Sequence, residues 1–351
     1  MGSYNLEQPE HQNIWIETPC IPSAPLSRAA GCNIFLKLEN LQPSGSFKSR
    51  GIGYMMQQAM LRKDSSNVHF YCSSGGNAGL ACATAAGILS RPCTIVVPML
   101  TKAHMIDKMR LLGAEVIQVG AHWALADAHL RSELLANDPA GVYVPPFDHP
   151  DVWKGASTIV DELAYQMKPH KVSQIDGILC NVGGGGLLNG IMTGVEKNFQ
   201  KSKSQVLAVE TVGADSLNAS VRAGELITLP AITSIATSLG APRVSEESFR
   251  WSQEAPYLSS FVVSDAEAVA ATMRFADDAR MLVEVACGAT IAPVYNGDLR
   301  KVLGGEGLSD EEWKAKNVVI IVCGGSNVSL EALNVWGEEY GVKEMDMYKK
   351  K

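Results

Sequence analysis

Short apolar runs alternate with helix-length segments along most of the chain. The runs read "NIFLKLE", "VHFYCSS", "CTIVVP", "EVIQVG", "GVYVPP", "GILCNVG", "QVLAVE" and "VVIIVCGG". Most are continuous rather than alternating, and Val and Ile dominate them. That pattern predicts parallel strands covered on both faces. Between them lie "GIGYMMQQAMLRKD", "NAGLACATAAGILS", "KAHMIDKMRLLG", "HWALADAHLRSELLAND" and "ASTIVDELAYQM", all long enough for helices. Strand followed by helix, repeated, is an α/β chain.

The stretch "VYVPPFDHPDVWKG", rich in Pro and aromatics, reads as a connection between two lobes, with a boundary near Pro150. "RVSEESFRWSQEAPY" reads as a surface loop or short helix. Ser309, followed by Asp-Glu-Glu, predicts a capped helix start.

Composition narrows the partners. The chain has 351 residues, 46% hydrophobic and 19% charged, with a formal net charge of -7. This is globular and large enough for two domains. No basic block stands out, so nucleic acid is not an expected partner. The apolar stretch "LACATAAGILS" is too short to span a bilayer, so no membrane is expected either. The amino-terminal stretch carries no signal-peptide pattern. The eight cysteines are scattered without a C-x-x-C pair, which points to a reducing, cytoplasmic setting. The histidines, including His11, form no metal-ligand spacing.

Four loops carry candidate chemistry. "SGSFKSRG" places Lys48 beside Phe47 just before a helical run; on its own the lysine reads equally well as a solvated surface group. "CNVGGGGLLNG" sets four glycines between a buried strand and a helix. Bare backbone N–H groups and the helix start suit an anion such as a phosphate. It is neither a P-loop nor a dinucleotide fingerprint, and a simple glycine-rich turn stays open. In "CSSGGNAGLA", Ser73, Ser74 and Asn77 offer groups for a carboxylate or a ring oxygen. "VCGGSN" puts Cys323 at the carboxyl end of a strand, where ligands of open α/β sheets collect. An amine, a phosphate-type loop and a carboxylate-type loop together are what pyridoxal phosphate requires.

Taken together, "SGSFKSRG", "SSGGNAG", "VGGGGLLNG" and "VCGGSN" resemble the pyridoxal phosphate enzymes of the tryptophan synthase β fold (fold type II), nearest the catabolic L-serine/L-threonine dehydratases. The resemblance runs from about residue 15 to 335. It implies two open, twisted, mostly parallel sheets flanked by helices. Residues 1–40 and 150–351 would form a large cofactor-binding domain, and 41–149 a small domain carrying the substrate loop. Lys48 resembles the Schiff-base lysine and Phe47 the aromatic packed on the ring. Ser74, Gly75, Gly76, Asn77 and Ala78 resemble the substrate-carboxylate loop, with Ser74 and Asn77 in the catalytic set. Gly183, Gly184, Gly185, Gly186 and Leu187 resemble the phosphate cradle, and Cys323 the group facing the pyridine nitrogen. Glu210, Ala214, Ser216, Leu239 and Ala241, in "VETVGADS" and "TSLGA", resemble a site for a monovalent cation, commonly potassium.

The implied activity is deamination by β-elimination, L-serine to pyruvate and L-threonine to 2-oxobutyrate, by a homodimer acting on a small amino acid. A serine racemase, or an elimination or replacement enzyme for a modified β-hydroxy amino acid, would share these motifs. So would a binding protein that kept the fold without catalysis. Gly75 stands where relatives of the liver type carry Ala. The missing methyl is expected to open room beside the substrate and to ease entry of a larger β-substituent.

Overall fold

The computed structural model describes residues 14–62, 67–200 and 203–342. The amino-terminal stretch with His11 and the carboxyl-terminal tail lie outside them. Ten strands follow one another as β1 (Cys20–Pro22), β2 (Asn33–Lys37), β3 (His69–Cys72), β4 (Cys93–Val97), β5 (Glu115–Gln118), β6 (Gly141–Tyr143), β7 (Gly177–Asn181), β8 (Gln205–Thr211), β9 (Leu258–Val263) and β10 (Asn317–Ile321). They form two sheets, ordered β1-β2-β10-β7-β8-β9 and β5-β4-β3-β6. Every pairing is parallel except that of β1 with β2.

The chain divides into two compact units. One comprises the described residues up to Ile16 together with Gln42–Ala156; the other comprises Glu17–Leu41 and the chain from Ser157. The first is built on the four-stranded sheet. Its core gathers Phe70, Cys72, Ile95 and Val97 of the strands with Ile52, Met56, Leu80, Ala81 and Met109 of the helices. The second is built on the six-stranded sheet. Here β7 is buried along its whole length, and the helix Val285–Tyr295 is buried from Val285 to Val294. That continuous burial is why these runs lack a two-residue alternation.

Two strands escape the sequence pattern. β1 is three residues long and ends in Pro22, which is tolerated because β1 lies at the sheet edge. β9, "LSSFVV", is the opposite edge and is only partly buried, so its apolar signal is weak. Ser309 caps the helix Asp310–Lys314 in a full capping box with Glu312. The polar stretch after Val244 is a helix, Glu246–Glu254, capped by Ser245. Among the described residues no helix is long and apolar enough to cross a membrane.

Candidate active site

In the first unit the candidate groups gather at the carboxyl edge of the four-stranded sheet. The helix Lys48–Arg62 opens at Lys48 itself. Its entry is tied by Ser49, whose Oγ accepts from the Ser44 N–H at 3.1 Å and lies 2.8 Å from Ser44 Oγ. Lys48 Nζ donates to the Pro146 carbonyl at 2.6 Å and lies 5.2 Å from the centre of the Phe47 ring. Pro146 follows β6, the neighbour of β3, so the amine reaches the same sheet edge from which the Ser74 loop leaves. Ser46 Oγ, two residues before Lys48, is buried and has no hydrogen-bond partner among the described residues.

Residues Ser74–Gly76 join β3 to the helix Asn77–Ile88 and are half-buried, as is Asn77. The Ser74 hydroxyl accepts from the Gly76 N–H at 3.3 Å and shapes the turn. Ser73 corrects the sequence reading. Its side chain is fully buried and donates to Asp127 Oδ1 at 2.6 Å, so the hydroxyl is committed inside the protein rather than offered to a ligand. Gly75 corrects it too. A methyl added there would lie 2.7 Å from Thr101 Cγ2, 3.0 Å from Thr101 Oγ1 and 3.4 Å from Val97 Cγ1. The space an alanine would need is already filled by protein.

In the second unit three loops leave the carboxyl ends of the adjacent strands β10, β7 and β8, the position at which ligands of such sheets collect. After β7 the chain runs through Gly183–Gly185 into the helix Gly186–Asn198. The N–H groups of Gly183 to Leu187 donate to no protein acceptor among the described residues. Gly184, Gly185, Gly186 and Leu187 are nevertheless buried. Buried backbone donors require partners, and donors converging at a helix start suit a phosphate.

The loop is held from behind. Ser245 N–H donates to the Gly184 carbonyl at 3.1 Å. Ser245, Ser248 and Asn189 hydrogen-bond one another, with Ser248 Oγ 2.7 Å from Asn189 Oδ1. Sequence reasoning missed this serine pair because neither residue lies in a glycine motif.

After β10, Cys323 Sγ accepts from Asn181 Nδ2 at 3.0 Å. A hydrogen bond with Cys287, burial and the charge of Glu284 hold its thiol far above the ordinary range, so it is a neutral S–H. Glu284, also missed, is buried and accepts from the Asn327 N–H at 2.7 Å, fixing the loop that follows Cys323.

After β8, Glu210 is fully buried. Its two oxygens accept from the N–H groups of Leu217 (2.9 Å) and Asn218 (2.8 Å) at the start of the helix Ser216–Ala223. Burial pushes its carboxyl up to about 8, against the two backbone hydrogen bonds that pull it down. Ser216 Oγ is buried without a hydrogen-bond partner among the described residues. Leu239 and the Ser238 carbonyl pack directly behind Gly183. Among the described residues no cluster of three His, Cys, Asp or Glu is placed to hold a metal ion. Any cation site at Glu210 would therefore add carbonyl and hydroxyl oxygens to that one carboxyl group.

Residues 12–324 match the model of the pyridoxal-phosphate dependent enzymes, and the chain belongs to that family. Within it the chain is closely related to the serine and threonine dehydratases. It is 44% identical to an L-serine dehydratase/L-threonine deaminase of Bos taurus, over 93% of this chain and 96% of the relative. It is 42% identical to an L-serine dehydratase of Saccharomyces cerevisiae, over 85% and 89%. Among solved structures it resembles a fungal L-serine ammonia-lyase from Rhizomucor miehei with a TM-score of 0.84 at 39% identity, covering 94% of this chain and 100% of that one. The α/β architecture expected from the sequence is thereby established.

Proposed function

We propose that the protein deaminates L-serine to pyruvate and L-threonine to 2-oxobutyrate, releasing ammonia. The observation that carries this reading is the glycine loop, whose five N–H groups lack protein acceptors among the described residues, in a chain of this family. The names of the bovine, yeast and fungal relatives support the choice of substrate.

By the resemblance, Lys48 Nζ would hold the aldehyde carbon of pyridoxal phosphate, and Gly183–Leu187 would hold its phosphate. By the same resemblance, Phe47 would pack on the ring, the Asn77 amide would serve the ring oxygen, and Cys323 would serve the ring nitrogen. When bound, the cofactor supplies the electron sink that makes the substrate's Cα–H acidic. Ser74, Gly75, Gly76, Asn77 and Ala78 hold the carboxylate and so set the direction of that bond. Lys48 Nζ would be the base that removes the Cα proton. The neutral Cys323 thiol gives no ionic support to a protonated ring nitrogen, which favours loss of the β-hydroxyl over transfer of the amino group.

Glu210, Ser216 and the carbonyls of Ala214, Leu239 and Ala241 bind a monovalent cation, potassium by the resemblance. A cation there would steady the segment Ser238–Leu239 that packs against Gly183. Eight free, buried cysteines support a reducing, cytoplasmic setting. A homodimer follows from the resemblance and is read by mass photometry.

The test is a product assay over L-serine, L-threonine and bulkier β-hydroxy amino acids, with borohydride reduction and peptide mapping. Pyruvate from serine and a cofactor label on Lys48 are expected. Racemised serine without keto acid, or a label on another lysine, overturns the reading.

A further inference from the structure

We propose that Asp127, Tyr143 and Arg131 form a brace that sets the position of the substrate-carboxylate loop by gripping Ser73. The inference rests on the reading that Ser74–Ala78 hold the carboxylate. Ladder pairing of β3 ends at Tyr71 with β6 and at Cys72 with β4. Ser73 is the first residue past that ladder and the last before the loop. Where the sheet stops fixing the chain, side chains take over.

Ser73 Oγ donates to Asp127 Oδ1 at 2.6 Å, and Tyr143 OH donates to the same oxygen at 2.7 Å. Arg131 Nε donates to the other oxygen at 2.8 Å, and its guanidinium lies 3.8 Å from the centre of the Tyr143 ring. Bonds to an ionised carboxylate are short and strong. Burial raises the Asp127 carboxyl, but the bonds from Ser73, Tyr143 and Arg131 outweigh it and hold it below the ordinary range. Asp127 is only 9% exposed. Three elements thus meet at the one carboxylate that grips Ser73: the helix Trp123–His129 carries Asp127, and the π-helix Leu130–Leu134 through Arg131 and β6 through Tyr143 hold it. The brace touches no substrate atom. It acts through the peptide bond between Ser73 and Ser74, and small misplacements of such a loop are costly to catalysis.

The test compares Ser73→Ala and Tyr143→Phe with Ser74→Ala as control. All are loaded with pyridoxal phosphate and assayed with L-serine, and Tm and the absorbance of bound cofactor are recorded. The brace predicts that Ser73→Ala and Tyr143→Phe each raise KM by about tenfold, with a smaller change in kcat and a wild-type cofactor spectrum. Tyr143→Phe keeps the ring and decides the matter if Ser73→Ala does not fold. If Ser74→Ala raises KM and the two brace variants lower only Tm or kcat, the brace is merely structural and the proposal falls. If Ser74→Ala leaves KM unchanged, the carboxylate reading itself fails and the brace falls with it.

Discussion

Replacing Gly185 with alanine tests how the glycine loop is held. Gly185 has φ +97°, a region in which an L-residue costs about 1–2 kcal/mol. The new methyl would also drive into Ser248 Oγ, 2.8 Å from Ser245 Oγ and 3.1 Å from Ser248 Cβ. Neither serine can simply swing aside, because each is bonded to Asn189 and to the other. Overpacking of that kind costs about 1–3 kcal/mol. The sum is about 2–5 kcal/mol against the loop's conformation. If it falls wholly on the bound state, cofactor affinity drops by about 30-fold to several thousandfold. Removing the Ser248 hydroxyl relieves the closest of these contacts, and frees Ser245 of one partner, but leaves the backbone strain. Gly185→Ala with Ser248→Ala should therefore recover most of the loss and stay about 5- to 30-fold weaker than Ser248→Ala alone. Titration of the four cycle members with pyridoxal phosphate, followed by absorbance beside a thermal melt, isolates the coupling. Wild-type affinity in Gly185→Ala, or a double variant no better than the single, would refute the argument.

The remaining predictions follow from the other loops. At equal ionic strength, potassium chloride should raise Tm and activity above tetramethylammonium chloride, and Ser216→Ala should weaken that dependence; equal values in both salts count against the cation site. Gly75→Ala should press on Thr101 and lower kcat/KM for serine and threonine alike by about tenfold, leaving their ratio unchanged. Thr101→Ser, which removes the methyl 2.7 Å away, should restore the rate, and a shifted serine-to-threonine ratio would instead place Gly75 in the β-substituent pocket. Asp127 is held below its ordinary range, so its stabilisation is complete above the unfolded carboxylate value of about 3.9 and is lost as pH falls through the lower folded value. Tm measured down that acid limb should fall less steeply in Asp127→Asn than in the parent, and identical slopes would remove Asp127 from the account.

The fold was legible where burial is continuous. β4 and β10 are Val- and Ile-rich and β7 carries Ile-Leu-Cys because both faces are covered, and that composition survives in the sequence as an unbroken run. β1 and β9 were not legible, because an edge strand is buried on fewer sides and so carries less apolar signal. The candidate site was legible as glycine- and serine-rich loops after such runs, because bare backbone leaves a trace in the sequence. What lies behind a loop leaves none. Ser245 and Ser248 stand about sixty residues from the glycines they support, and Asp127 stands 54 residues from Ser73.

Gly75 and Ser73 show why adjacency to a motif is a weak guide to direction. From the sequence, a glycine beside the reacting carbon suggests space for substrate, and a serine in the same loop suggests a ligand contact. In the fold, the missing methyl of Gly75 points at Thr101 and Val97, and the Ser73 hydroxyl points at Asp127. Both sit at the end of β3, where side-chain direction depends on how the chain leaves the ladder. The alternation of the strand no longer applies there, and the helix that begins at Asn77 has not yet imposed its own period. At two of the four residues between Cys72 and Asn77 the side-chain direction therefore faces the protein rather than the ligand. Selectivity between serine and threonine should accordingly follow from groups other than the Gly75 methyl position.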